Sequence, residues 1–252
     1  SLLGLGGGIL IVPLLTLGFG LPVREAVGVS LVCVIVTSSA AAAVYLERHV
    51  ANLRLGMTLE LFTAVGAGVG GIVAFVVEER VIAALFTALL VYTAWSMARP
   101  GAATVDEAVT PVAPPSAGDF RSSLNGAGYV VRRLPAGMVG AFFAGIMAAL
   151  LGVGGGLVKV PVMHLVMGVP LRVATATSNL MIGVTATAGA VVYLARGGID
   201  PFVAGPTAIG VFFGAALGSR AAHRIDVRTL RLLFMLVLGY TALQMGRRVL
   251  AV

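Results

Sequence analysis

Seven stretches of the chain, 17 to 25 residues long, contain no Asp, Glu, Lys or Arg: residues 1–23, 26–46, 61–77, 81–98, 134–158, 173–195 and 201–219. A shorter one, 232–246, makes an eighth. About 20 apolar residues wound as a helix cross the ~30 Å hydrocarbon core of a bilayer, where only helices and closed barrels satisfy their own backbone groups. No short alternating strands mark a barrel. The runs therefore predict an all-α polytopic membrane protein. Charged residues make up 11% of the 252, against about 25% in soluble domains, which excludes an ordinary soluble fold.

The net charge of +7 comes from 16 arginines and one lysine set against 10 acids. A basic balance of this kind suits nucleic acid or a membrane surface. Here the arginines stand at the ends of the apolar runs, as in the connections of membrane helices, so lipid is the expected partner and nucleic acid is not. The single cysteine, Cys33, lies inside an apolar run and cannot form an internal disulfide.

The chain is also duplicated. LGLGGGILIVPLLTLGFGLPVREAVGVS, residues 3–30, aligns without gaps on LGVGGGLVKVPVMHLVMGVPLRVATATS, residues 151–178, at an offset of 148. At the same offset Thr37, Val44, Tyr45, Leu46 and Arg48 fall on Thr185, Val192, Tyr193, Leu194 and Arg196, and Gly66 and Gly70 fall on Gly214 and Gly218. Identities at glycine, proline and serine over this length indicate two structural halves, as in many secondary transporters. Between them, residues 98–126 are rich in Pro, Ala, Gly and Ser without apolar period, the mark of a solvated linker. The expected organisation is a first repeat over 1–98, a linker over 99–133 and a second repeat over 134–252. LPAGMVGAFFAGIMAAL, residues 134–150, precedes the second glycine motif and has no counterpart before Gly4. The first repeat is thus expected to lack its first half-helix.

Residues 134–168, broken by GVGGG and Pro161, are too long and too interrupted for one plain spanning helix. Either a discontinuous helix crosses the membrane and the halves are parallel, or a re-entrant hairpin returns to its own face and the halves are inverted. With hairpins, eleven arginines (Arg48, Arg54, Arg99, Arg121, Arg132, Arg133, Arg172, Arg220, Arg224, Arg228, Arg231) share one face against five on the other (Arg24, Arg80, Arg196, Arg247, Arg248). With four crossings per repeat the split is seven against nine and carries no bias. The positive-inside rule favours inverted repeats, each a Gly-rich broken or re-entrant helix plus about three transmembrane helices.

Gly6, Gly7 and Gly8, with their counterparts Gly154, Gly155 and Gly156, leave backbone that can turn and present N–H groups at membrane depth. Pro13 and Pro161 suit the first turn of a new helix, and half-helices starting near the midplane would offer positive dipole ends to an anion. The competing reading is that the glycines serve close helix packing. A dinucleotide fingerprint is excluded, since strand, third glycine and soluble βαβ unit are all missing.

Lys159 is the only lysine and follows 25 uncharged residues; Ile11 stands at the matching place in the first half. A cation at that depth reads as functional unless it snorkels to an interface. The nearest acid in sequence, Asp119, is forty residues back in the linker, so the substrate itself is the expected counter-ion. Ser30 and Thr37, and equally Ser178 and Thr185, are seven apart and share a helix face. Thr175, Thr177 and Asn179 add polar groups that either bind an oxyanion or join helices. The substrate-binding set is Gly6, Gly7, Gly8, Ser30, Thr37, Gly154, Gly155, Gly156, Lys159, Ser178 and Asn179. Glu47, Glu60, Glu78, Glu79 and Asp200 stand at run ends and read as solvated or interfacial, with Glu60 alone a candidate proton site. His164 is a proton carrier or a packing residue. Gly66xxxGly70 and Gly214xxxGly218 mark close helix contacts, within a protomer or across a homodimer. No metal cluster, cofactor motif or catalytic constellation is present. A serine hydrolase would need a base beside its serine, and His164 comes without a GxSxG elbow.

The paired GLGGGILIVPLLTLG and GVGGGLVKVPVMHLVMG, each followed by a G-x-P-x-R-x-A stretch ending in serine, resemble the TauE/SafE sulfite exporter family, also called the toluene sulfonate uptake permease family. The resemblance covers both halves. It implies a multi-pass carrier of the bacterial inner membrane for sulfite, sulfoacetate or related organosulfonates, driven by the proton gradient and not an enzyme. The expected mechanism is alternating access. An anion channel, or an uptake permease for an unrelated small organic anion, is the alternative.

Overall fold

The computed structural model describes residues 8–47, 51–98, 124–125, 129–222 and 227–251, which form helices joined by short turns and contain no β-strand. In chain order the helices are α1 (Gly8–Pro13), α2 (Val23–Glu47), α3 (Leu53–Val76), α4 (Glu79–Ala98), α5 (Leu134–Leu151), α6 (Gly156–Pro161), α7 (Leu171–Ala195), α8 (Pro201–Ala222) and α9 (Val227–Ala251). α2, α3 and α4 begin at 23, 53 and 79, and α7, α8 and α9 begin at 171, 201 and 227, each 148 later.

α1 and α6 run on into π-helical turns, Leu14–Gly18 and Val162–Val166. Pro13 and Pro161 are the sixth residues of their helices and sit just before the wide turns. The sequence pattern suits these prolines to the first turn of a new helix. The helices instead begin at the glycines, and proline, which has no N–H to give, stands where the α pattern ends and the wider pattern starts. Each arm then closes with the same hydrogen bond, Leu21 N–H to the Leu15 carbonyl at 3.2 Å and Val169 N–H to the Met163 carbonyl at 3.0 Å.

Residues 134–168 form a hairpin. A Cβ on Gly137 would meet Met167, one on Gly140 would meet Val162 and one on Gly155 would meet Ala144 and Ala148, so the arm through α6 runs antiparallel to α5. The Arg132 N–H to Met167 carbonyl bond, 2.9 Å, closes the open end. At 1.5 Å per residue, α5 is about 27 Å long and the arm from Gly156 to Val166 about 16 Å. The second reaches roughly halfway through a hydrocarbon core.

Among the described residues three helices, Leu53–Val76, Leu134–Leu151 and Leu171–Ala195, are long and apolar enough to cross a membrane. They also pack together. Gly66 and Gly70 of α3 face the Phe142 and Ile146 backbone of α5, and Gly145 of α5 faces the Thr63 carbonyl. A side chain at any of these would collide with backbone, which is how small residues let membrane helices approach. Gly214 and Gly218, the matching pair in α8, have open space where a Cβ would go. Within the chain, the expected close contact forms at the first pair, and among the described residues nothing packs against the second. Outside, large apolar side chains are bare: Phe202 is 90% exposed, Leu165 77% and Met57 73%. Such a surface suits lipid rather than water.

Arg24 shows what its motif does locally. Its guanidinium donates from Nε to the Ala74 carbonyl and from Nη2 to the Val77 carbonyl, both 2.9 Å, and lies 5.5 Å from the centre of the Phe75 ring. It thereby satisfies carbonyls that the end of α3 leaves without helical partners.

Candidate anion-binding site

Two broken elements meet where α1 and α6 begin. Gly8 packs against the Gly152 carbonyl, and Ser30 of α2 donates to that carbonyl at 2.8 Å while lying 3.4 Å from the Gly8 carbonyl. Gly6 and Gly7 lie outside the described residues. Gly154 and Gly155 have φ of 77°, the left-handed region that lets α5 stop and α6 start in reverse within four residues. The space beyond these glycines is filled by protein: Ile182 of α7 behind Gly154, Ala144 and Ala148 of α5 behind Gly155. Close packing is thus part of their role. Gly156 opens α6 and is buried.

One turn into α6 stands Lys159, 2% exposed. Its Nζ donates to Glu60 Oε2 of α3 at 3.1 Å and to Thr185 Oγ1 of α7 at 2.6 Å, and the Thr185 hydroxyl donates to Glu60 Oε1 at 2.7 Å. The three side chains form a closed ring, each bonded to the other two. This corrects two sequence-based expectations. Lys159 has a protein counter-ion, and Glu60 is neither solvated nor interfacial but 8% exposed inside the helix packing. A buried pair of this kind gains little net stability, because desolvation opposes the attraction, yet loses several kcal/mol when one member is removed.

The hydroxyls and amides divide into bonded and unbonded groups. Ser30 is committed to the glycine carbonyls, and Thr37 bonds the Cys33 and Val34 carbonyls of its own helix, both at 3.1 Å. Thr175 bonds the Leu171 carbonyl at 2.8 Å. Thr177 accepts the Asn52 N–H at 3.0 Å. Asn52 caps α3 and donates to the Leu124 carbonyl and the Tyr129 hydroxyl, and burial pushes the Tyr129 phenol above its ordinary range. Ser178 Oγ and Asn179 Nδ2 differ: both are buried and have no hydrogen-bond partner among the described residues. Buried polar groups are nearly always paired, so two adjacent orphans call for a partner beyond the described residues, such as a ligand or water. Ser178 lies seven residues before Thr185 and faces the same side of α7. Thr185, rather than its counterpart Thr37, meets the lysine.

His164 is exposed, with Nδ1 2.9 Å from the Val169 carbonyl, and takes no part in the ring. Cys33 is buried and free. No group of His, Cys, Asp and Glu able to hold a metal occurs among the described residues. An open groove of about 570 Å³ between α4 and α9 is lined by Ala84, Thr87, Ala88, Val91, Tyr92, Trp95 and Gly246. That lining is mainly apolar and shares no residue with the ring around Lys159, so it is not the seat of the chemistry.

With this geometry in hand, comparison with known proteins gives a consistent result. The family model of the sulfite exporter TauE/SafE matches residues 1–245. The chain is 26% identical over 248 residues to the probable membrane transporter protein YunE of Bacillus subtilis, covering 94% of this chain and 89% of that protein. No solved structure matches it.

Proposed function

This chain belongs to the TauE/SafE sulfite exporter family of membrane transporters, and from that premise we propose that it is a secondary carrier of the bacterial inner membrane that exports or exchanges small sulfur-containing anions such as sulfite, sulfoacetate or other organosulfonates. The observation that carries the reading is Lys159: one buried ammonium one turn into α6, beside a glycine break and packed on α7, where Ser178 and Asn179 have no hydrogen-bond partner among the described residues. An oxyanion has several acceptor oxygens and needs convergent donors. The ammonium offers charge and Thr185 a neutral donor, Ser178 and Asn179 two turns away on α7 offer further donors, and Gly8, Gly154, Gly155 and Gly156 let the two arms come together.

Inverted repeats and alternating access belong to the same proposal. In its support, α2 and α7, equivalent at the 148-residue offset, run antiparallel. Ser38 bonds the Asn179 carbonyl at 3.0 Å, whereas Gly28 at the other end meets Tyr193 and Gly198. An in-plane two-fold axis makes equivalent helices antiparallel, and an axis along the membrane normal makes them parallel. Rocking one half against the other about the arms would expose the site to each face in turn.

Proteoliposomes loaded with sulfite or sulfoacetate test the reading by counterflow. A carrier accelerates entry of labelled anion against its own gradient when unlabelled anion is inside; a channel does not. Wild-type counterflow that vanishes in Lys159→Met is the expected result. Counterflow absent for every sulfur anion, or present only for unrelated carboxylates, would overturn the assignment.

A further inference from the structure

The ring around Lys159 contains a group that the carrier reading alone does not use. Resting on that reading, we infer that the Glu60 carboxylate is a tethered stand-in for the substrate, and that an anion reaches Lys159 only as Glu60 takes up a proton, one proton for each anion bound.

Geometry comes first. Glu60 places one oxygen on the ammonium, 3.1 Å, and the other on the Thr185 hydroxyl, 2.7 Å. Those are the donors that two oxygens of a sulfite or sulfonate would take. Carboxylate and substrate therefore compete for one place. When Glu60 leaves, neither donor is stranded: Thr185 also lies 3.1 Å from the Met181 carbonyl of its own helix, which can receive the hydroxyl proton.

Charge decides the rest. The Lys159–Glu60 pair is neutral as it stands. Adding a monoanion leaves one uncompensated negative charge inside the packed helices, where an unpaired charge is costly. Protonation of Glu60 restores neutrality: ammonium, bound anion and carboxylic acid sum to zero. No other described group is placed to do this. α5 has no ionisable side chain between Leu134 and Leu151. α7 carries Arg172, thirteen residues from Thr185, and Tyr193, whose hydroxyl donates to the Ala149 carbonyl at 3.1 Å. Arg54, on the same helix as Glu60, is exposed, as is His164 beyond α6. Of the pair, Glu60 keeps 11% of its side chain accessible against 1% for Lys159, so the carboxylate is the member nearer the surface of the helix packing.

Calorimetry on the full chain in nanodiscs tests this, with methanesulfonate as probe because it stays a monoanion across the working pH range. In two buffers of different ionisation enthalpy, wild type should take up about one proton per anion. Its affinity should fall about tenfold for each pH unit above the titration of the carboxyl, the slope of one coupled proton. Glu60→Gln, which mimics the neutral acid, should bind without proton uptake and without that slope. Wild-type binding with no proton uptake would overturn the coupling and leave the carrier reading intact, as would a Glu60→Gln variant that keeps the full slope. Failure of wild type to bind methanesulfonate, sulfite or sulfoacetate at any pH would overturn the carrier reading and this inference with it.

Discussion

Replacing Lys159 with methionine keeps an unbranched side chain of similar length and removes the charge, so the cost falls on the partner left behind. Glu60 would keep its bond to Thr185 but would lose the ammonium 3.1 Å away. Breaking a buried ion pair from one side costs about 3 to 5 kcal/mol, mainly because the stranded charge has no compensation. The 11% exposure of the Glu60 side chain and its hydroxyl partner soften that, which puts the expected loss near 3 kcal/mol. Adding Glu60→Gln to Lys159→Met removes the stranded charge, so the double variant should recover about 2 kcal/mol relative to the sum of the two single losses. Reversible unfolding in mixed micelles of wild type, both single variants and the double variant completes the cycle. Additivity within about 0.5 kcal/mol would mean that the two charges do not sense each other in the folded protein, and the ring described above would have no energetic reality.

Three further outcomes follow from packing and topology. Gly145→Val should prevent stable assembly of α3 on α5, because the new side chain meets the Thr63 backbone, whereas Gly214→Ala should gain about 0.5 to 1 kcal/mol in open space; equal effects in a micelle unfolding assay would contradict the assigned interface. Arg24→Lys should lose about 1.5 to 3 kcal/mol in the same assay, since one ammonium cannot fork to the Ala74 and Val77 carbonyls; full stability in that variant would show the cap to be idle. Single cysteines placed in 99–133 and in 220–231, in a Cys33→Ser background, should both resist an impermeant thiol reagent added from outside the cell; labelling of one segment alone would refute the inverted arrangement.

The backbone plan was legible because it is written twice. Helix starts 148 residues apart repeat the spacing of the aligned glycines, prolines and serines. The path of residues 134–168 was not, since a crossing helix and a hairpin share one sequence pattern. What separates them is the packing of Gly137 and Gly140 against Met167 and Val162, a contact between residues more than twenty apart. The prolines misled for a local reason: proline is acceptable at a helix start, but here the glycines start the helix and proline ends its regular part.

Lys159 was visible as the one cation of a long uncharged run, but Glu60 was hidden by the same device that exposed the lysine. A charge-free run begins after Glu60, which makes the residue look terminal. α3 in fact begins seven residues earlier, at Leu53, and carries Glu60 two turns inside. Ninety-nine residues separate the partners, and no local pattern joins them. The duplication nevertheless offers a clue. At the offset of 148, Lys159 corresponds to Ile11, Glu60 to Ala208 and Thr185 to Thr37. Both charges are absent together from the matching positions, where Ile11 and Ala208 join the apolar core instead, and only the threonine is kept. Glu60 belongs to the first repeat and Lys159 to the second, so the pair joins the repeats, and the equivalent positions are built into the fold without charge. A charge pair that a duplicated chain keeps at one of two equivalent places between its repeats, and omits as a unit at the other, is best explained by the chemistry it performs.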